Sequence, residues 1–388
     1  MNKSSRTIEY EKMFAEWFGA GRAFSFWKAR VGLYAILKAM GVGAGDEVVI
    51  PGYTCVVDVN PVLYLKAKPI YVDVEPNTFN IDVKALEEKI TPNTKVIMAQ
   101  HTYGYPCDMD AIVGIAEKSG TYVIEDCCHA FGSRYKGRTA GTFGQVAYFS
   151  SQWNKPYTTG LGGMVLVRDG ELANKIESLC SREMVMPSKK EVLMLTAQLA
   201  VYRAFIYPRT TALAQNAFRL LTRRGVVVGS SSTSELGPAQ MEPDYFKAMS
   251  CVQARSGLKQ LRKVEGNIAH RKRIAQYYDD LLEKKGWVTR QYDRSTSEPV
   301  MVRYPVRIIA KERALHEAAK SGVELGDWFE CPLHATEAPL EAYDYKTGTC
   351  PEGEKASAEV VNLPVHPRVN QKTAEKTVEF ITRFAQVR

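Results

Sequence analysis

A lysine followed at once by proline stands at Lys155-Pro156, inside YFSSQWNKPYTTGLGGM (148–164). Hydroxyl side chains flank it and glycines close the stretch. A solvated surface lysine needs no such framing, but an amine that bonds covalently to a cofactor does. A lysine amine condenses with an aldehyde to a Schiff base. Upstream, VIEDCCHAF (123–131) offers Asp126 and, three residues later, His129. An aldehyde cofactor such as pyridoxal phosphate requires four things of a protein. It needs a lysine, an acid partner for its ring nitrogen, donors for its phosphate and a group near its ring face. Asp126 is the candidate acid and Ser150 the candidate phosphate donor. His129 is placed to meet the ring hydroxyl or to stack. Gly160, Gly162 and Gly163 let the backbone pass close to a ligand. Taken singly, each residue has a plain structural reading: a capping acid, a core histidine, an exposed lysine. The argument for chemistry rests on their joint arrangement.

The elements that must position these residues alternate. LYAILKAM (33–40) has helical spacing, and GVGAGDE (41–47) stops it. VVIP (48–51), PIYVDV (69–74), KVIMAQ (95–100), TYVIED (121–126), VAYFS (146–150) and MVLVRD (164–169) read as strands. VKALEEKI (83–90) and MDAIVGIAEKS (109–119) read as helices between them. Continuous apolar strands separated by helices predict a largely parallel sheet covered on both faces. Ligands of such sheets gather at the carboxyl ends of the strands. Those ends carry His101, Asp126 and Ser150.

From 258 the pattern changes. LKQLRKVEGNIAHRKRIAQYYDDLLEKKGW predicts one long helix with Leu258, Leu261, Val264, Ile268, Ala275, Tyr278 and Leu282 on or near one stripe. A strand over 300–309, a helix over 311–322 and a helix over 371–386 complete a smaller α+β unit. The expected organisation is a large domain over 1–257 and a small C-terminal domain over 258–388. An atypical helical segment, 184–240, sits inside the first. Its apolar run EVLMLTAQLAVYRAFIY (191–207) is short and charge-interrupted, so a membrane span is not expected. A helical pair covering a dimer partner is the main reading of that segment. Weak membrane-surface contact through 191–224 is the second, with the basic residues 222–224 near lipid.

The chain has 388 residues, 45% of them hydrophobic, which suits a sizeable core, and a formal charge of +8. Apart from clusters at 222–224 and 269–273 the positive residues are dispersed, so no nucleic-acid partner is expected. The eight cysteines show neither CxxC pairs nor zinc spacing, and no metal is expected. They read as small core residues of a protein in a reducing cytoplasm. The N-terminal residues have no apolar signal-like run.

Taken in order, the segments GVGAGDEVVIPGYTC, KPIYVDVEPNTFNID, TKVIMAQHTYGYPCDMDAI, VIEDCCHAFGSRYKGRTAGTFG, AYFSSQWNKPYTTGLGGM, MSCVQARSGLKQL, RIAQYYDDLL and NLPVHPRV resemble one family. It is the DegT/DnrJ/EryC1/StrS type of sugar aminotransferase. The resemblance spans 22–388 except 184–240. It implies the α/β aspartate-aminotransferase-like fold, with pyridoxal 5'-phosphate as cofactor. By resemblance, the Schiff-base lysine falls on Lys155 and the ring-nitrogen acid on Asp126. The residue near the ring hydroxyl falls on His129 and the phosphate serine on Ser150. The family's Ser-Gly-Thr phosphate turn falls on Lys28-Ala29-Arg30, a departure; Arg30 at a helix start could itself hold phosphate. The ring-stacking aromatic falls on Cys55, with Tyr53 as a substitute. The glutamate of the family's T-T-G-E-G-G falls on Leu161. The Asn-Tyr-Arg segment by which a partner subunit reaches the phosphate is replaced near 244–250.

The resemblance implies a ping-pong transaminase in a homodimer. Glutamate is the expected donor and a nucleotide-linked keto-sugar the expected acceptor, for cell-surface polysaccharide or secondary-metabolite synthesis. Lys28, Arg30 and His334 are candidates for gripping substrate phosphate or carboxylate. A free keto-sugar acid or an aminocyclitol precursor is the alternative acceptor. A non-catalytic protein that keeps the fold is a third reading, and the presence of both Lys155 and Asp126 argues against it.

Overall fold

The computed structural model describes residues 3–19, 21–153, 155–206, 233–289 and 292–384. A seven-stranded sheet forms its centre. In chain order the strands are β1 (Arg22–Phe26), β2 (Glu47–Pro51), β3 (Lys68–Val72), β4 (Thr94–Gln100), β5 (Tyr122–Asp126), β6 (Val146–Ser150) and β7 (Gly163–Val167). Their spatial order is β1-β7-β6-β5-β4-β2-β3. Only β7 runs against its neighbours; the pairings among β6, β5, β4, β2 and β3 are all parallel. β6 and β7 are buried along their whole length, as expected of strands covered on both faces. Local chemistry sets the helix ends. The helix Met109–Ser119 starts where the Asp108 carboxylate accepts from the Ala111 N–H, and stops at Gly120 with φ 71°.

The C-terminal part is built on a two-stranded antiparallel sheet, β8 (Tyr304–Arg307) and β9 (Val360–Leu363). The helices Val264–Glu283, Lys311–Ser321 and Gln371–Ile381 contribute Ile274, Tyr278, Ala314, Val378 and Phe380 to the core beside it.

Three sequence expectations are corrected. The single long helix from 258 is two, Cys251–Leu261 and Val264–Glu283, with Lys263 leaving helical geometry between them. The strand expected over 300–309 contracts to Tyr304–Arg307, because the Val300 and Val302 N–H groups go instead to Ser133 Oγ and the Tyr103 carbonyl. The last helix ends at Ile381 and tightens into a short 3₁₀ turn, Thr382–Phe384.

Of the atypical segment, residues 207–232 lie outside the described residues, including the basic cluster 222–224. The part that is described holds a helix, Lys189–Val201, opened by a Ser188/Glu191 capping box. Its Leu195 and Leu199 are buried against Trp27 and Leu161, while Leu193 and Val201 face outward. Among the described residues no helix is long and apolar enough to cross a membrane.

Candidate active site

The carboxyl ends of β5 and β6 open into one small cavity. Lys155, Asp126, His129, Ser150, Ala29, Arg30, Cys55 and His334 all line it. Residues remote in sequence reach it because the parallel strands end together. Asp126 closes β5 and Ser150 closes β6. Cys55 and His334 arrive as a pair, since Thr54–Cys55 and Leu333–His334 form a short parallel ladder.

Lys155 is enclosed. Its Nζ lies 4.6 Å from the centre of the Trp328 ring. Burial lowers its pKa from the ordinary amine value, against the opposing pull of Cys128, Cys55, Asp126 and Asp58. An amine so placed loses its proton more readily than a free lysine, the state that attacks a carbonyl. Asp126 is buried, and its Oδ1 accepts the Cys128 N–H at 2.8 Å. His129 Nδ1 accepts the Tyr103 N–H at 3.3 Å, so its Nε2 carries the proton. Burial and the positive charges of Lys155 and Arg303 push its pKa well down, keeping the ring neutral. His129 packs against Trp328 with ring centres 4.8 Å apart.

Ala29 and Arg30 begin the helix Ala29–Ala39, whose N-cap Lys28 gives no side-chain cap bond. Helix N-termini leave backbone N–H groups free for an anion. Gly163 makes this approach possible: a Cβ there would lie 2.3 Å from Ala29 Cα and 2.4 Å from its nitrogen. Arg30 and Lys28 both reach Glu235, at 3.0 and 2.9 Å, all three being buried or nearly so. Lys28 is not among the lining residues; its amine points to Glu235. Burial lowers the Lys28 pKa, and the Glu235 charge opposes that shift.

Tyr53 is placed elsewhere. It is fully buried, its hydroxyl 2.7 Å from that of Tyr103, and its ring packs edge-on to Phe329 at 4.8 Å. The expected substitute for a stacking aromatic therefore does not line the cavity. Cys55 does, with burial raising its thiol pKa beyond the ordinary range. His334 is held near pKa 4, chiefly by burial, and its Nδ1 accepts the Glu330 N–H at 3.2 Å.

Sequence reasoning missed Trp328, Phe329, Asp58, Gln100 and Gln152, all of which line the cavity. The two aromatics stand just ahead of His334 in the chain, in Trp328-Phe329-Glu330-Cys331-Pro332-Leu333-His334. The neighbour Glu125 faces the other way. Its Oε1 accepts the Phe143 and Gly144 N–H groups, and its Oε2 those of Gly141 and His101 Nε2. A larger and more open groove, lined by Glu117, Gln145 and Arg168, lies at the amino ends of β5 and β6, away from Lys155.

An amine, an acid, hydroxyls and a helix N-terminus around one enclosed space suit a ligand carrying an aldehyde, a basic ring nitrogen and a phosphate. Comparison with known proteins agrees. The profile of the DegT/DnrJ/EryC1/StrS aminotransferase family matches residues 2–201 and 212–382. The chain is 30% identical over 379 residues to the GDP-perosamine synthase of Caulobacter vibrioides, covering 96% of this chain and 88% of that protein. It is 31% identical over 360 residues to the UDP-2-acetamido-2-deoxy-3-oxo-D-glucuronate aminotransferase of Pseudomonas aeruginosa, covering 92% and 85%. Among solved structures, the aminotransferase TlmJ from Streptoalloteichus hindustanus superposes with a TM-score of 0.76 at 26% identity, over 98% of this chain and 91% of that one. The chain belongs to the DegT/DnrJ/EryC1/StrS aminotransferase family and is an aminotransferase that uses pyridoxal phosphate.

Proposed function

We propose that this enzyme transfers an amino group from glutamate to a keto-sugar carried on a nucleotide. The observation that carries the site assignment is the meeting of Lys155, Asp126, Ser150 and the Ala29–Arg30 helix start on one cavity. The relatives named for GDP-perosamine and for a UDP-linked oxo-glucuronate support the acceptor class. Other relatives are named L-glutamine:2-deoxy-scyllo-inosose aminotransferase, which keeps an aminocyclitol precursor as the second reading. The enzyme is taken to act as a cytoplasmic homodimer, a contact that exposed Met186, Leu193 and Val201 would serve.

Bound at this site, pyridoxal phosphate supplies an aldehyde for the amine and a ring that withdraws electrons. Lys155 would hold the aldehyde and, released by the incoming donor, take the proton from the donor Cα. Asp126 would keep the ring nitrogen protonated. Ser150 Oγ and the Ala29 and Arg30 N–H groups would hold the phosphate. The Nε2 proton of neutral His129 would serve the ring hydroxyl. Trp328 and Phe329 shield the amine from water.

The test is spectroscopic and kinetic. Purified protein given pyridoxal phosphate gains a visible absorbance band, and glutamate bleaches it. Nucleotide-linked keto-sugars restore the band, whereas free keto-sugar acids and keto-cyclitols do not. Lys155→Ala abolishes turnover. A protein that stays colourless with added cofactor, or that shows sequential kinetics, rules the assignment out.

A further inference from the structure

Trp328 and Phe329 stand outside every helix and strand, yet a side chain meets each polar atom of their backbone. The Trp328 N–H donates to Asn362 Oδ1 at 2.9 Å, and the Trp328 carbonyl accepts the Tyr103 hydroxyl. The Phe329 N–H reaches the Tyr53 hydroxyl at 3.5 Å, and the Phe329 carbonyl accepts from Lys311 Nζ at 2.9 Å. The hydroxyl protons have one consistent arrangement. Tyr103 gives its own to Trp328, so Tyr53 donates to the Tyr103 oxygen, 2.7 Å away. All four side chains are buried. Asn362 lies on β9 and Lys311 on the helix Lys311–Ser321; Tyr53 follows β2, and Tyr103 lies in the turn after β4. An ordinary loop leaves such backbone groups to water. Here four elements fix one dipeptide.

What they fix is the Trp328 indole. It lines the cavity, with its ring centre 4.6 Å from Lys155 Nζ and 4.7 Å from Arg303 Cζ. The face of an aromatic ring carries negative potential, strongest in tryptophan, and it attracts an ammonium most where water is excluded. A neutral amine gains far less. The other charged and titratable groups around Lys155 are Asp126, Cys128 and His129 at and beyond the end of β5, Cys55 on the short ladder and Asp58 in the helix Val56–Tyr64. Transamination asks both states of this amine: neutral to attack, and ammonium once it has taken the Cα proton. Burial favours only the first.

We propose that Trp328 is a positioning residue whose indole face holds the Lys155 ammonium, and that Asn362, Tyr103, Tyr53 and Lys311 hold that face in place. This role rests on Lys155 being the amine that meets the cofactor. It differs in sign from shielding. A wall that only kept water out would disfavour the ammonium, so its loss would raise the amine pKa. An indole that binds the ammonium favours it, so its loss lowers the pKa.

The test uses the full-length protein, stripped of cofactor and labelled with acetic anhydride from about pH 6 to about pH 11. Acetylation of Lys155 is followed by mass spectrometry of its peptide. Only the neutral amine reacts, so the midpoint of the rate against pH reports its basicity, whereas altered access changes the plateau. Trp328→Leu should lower the midpoint by about one pH unit, about tenfold in proton affinity. Trp328→Phe should lower it by less, because a smaller ring attracts a cation more weakly. Where Trp328→Leu does not fold, Trp328→Phe decides. A midpoint that stays or rises in either Trp328 variant overturns the proposal, whatever happens to the melting temperature. Tyr103→Phe removes one bond to the Trp328 carbonyl and leaves the indole in the chain; it should shift the midpoint downward by less than Trp328→Leu does. A Tyr103→Phe midpoint equal to the parent's overturns the part given to the four clamping residues. Borohydride reduction of the parent loaded with pyridoxal phosphate checks the underlying assignment separately. An adduct on another residue ends both readings; an adduct on Lys155 with unmoved midpoints ends only this one.

Discussion

Glu125 and Asp126 are adjacent acids on β5, and neighbouring residues of a strand face opposite sides of the sheet. Asp126 enters the cavity. Glu125 is fully buried on the other side, where it ties His101 to the 141–144 turn with four hydrogen bonds. The substitution Glu125→Gln separates the two roles. A glutamine oxygen can keep one pair of donors, either Phe143 and Gly144 or Gly141 and His101. Its amide end then points N–H groups at the other pair. Two buried donors left without acceptors cost about 1–3 kcal/mol each, so about 2–6 kcal/mol together. The usual cost of breaking a buried charged pair, about 3–5 kcal/mol, falls in the same range. For a chain of this size that lowers the melting temperature by about 5–10 °C. Burial opposes ionisation of Glu125, but the His101 and backbone bonds win and hold its pKa below the ordinary carboxylate value. The sign follows: its contribution is present above the unfolded-state pKa and is lost as pH falls through the depressed folded value. The gap between parent and Glu125→Gln should therefore close in acid. Calorimetry at neutral and at acid pH measures both effects. The cofactor band per folded molecule should not change. A Glu125→Gln protein that melts within about 1 °C of the parent at neutral pH would refute the reasoning.

Two further substitutions probe the cavity. Asp126→Asn keeps an oxygen for the Cys128 N–H but presents a donor to the ring nitrogen; turnover should fall by about 10²–10³ with the melting temperature nearly unchanged, and a loss below threefold, roughly 0.6 kcal/mol, removes Asp126 from the ring. Gly163→Ala drives a methyl group into the Ala29 backbone at 2.3 Å, so the helix N-terminus must retreat by a shift costing about 1–3 kcal/mol; pyridoxal phosphate should bind at least about tenfold more weakly while pyridoxal, which lacks the phosphate, changes little, and equal losses for both would argue against a phosphate at this helix.

The sheet was legible because six of its seven strands are apolar runs bounded by glycine, proline or polar turns. β1 escaped, being a five-residue strand, Arg22–Phe26, that begins on a charged, exposed residue and runs straight into a helix. The break at Lys263 escaped for a different reason. Leu258, Leu261, Val264 and Ile268 keep helical spacing across it, and periodicity registers the stripe, not the backbone angle beneath. In the cavity, the residues gathered from strand ends do converge, since parallel strands deliver their carboxyl ends to one edge. Tyr53 was misplaced because sequence spacing cannot tell which side of a short extended segment faces the ligand. Trp328, Asp58 and Glu235 were illegible because their partners are distant in sequence.

One departure becomes intelligible only when two segments are read together. Leu161 stands where the resembling family has glutamate, and taken alone it removes a polar group from beside the cavity. The helix Lys189–Val201 is also atypical, and its inward residues Leu195 and Leu199 pack on Leu161 and Trp27. A carboxylate at 161 would be buried among leucines without a partner, a cost of several kcal/mol. The apolar helix and the lost glutamate are therefore one change. An apolar side chain stands at 161 where the family has a carboxylate, and it shares one buried cluster with Trp27, Leu195 and Leu199. A substitution restoring glutamate at 161 should thus fail to restore any polar contact, and should loosen the Lys189–Val201 helix first. Proteolysis in that segment, quickened while the melting of the central sheet is little altered, is the expected sign.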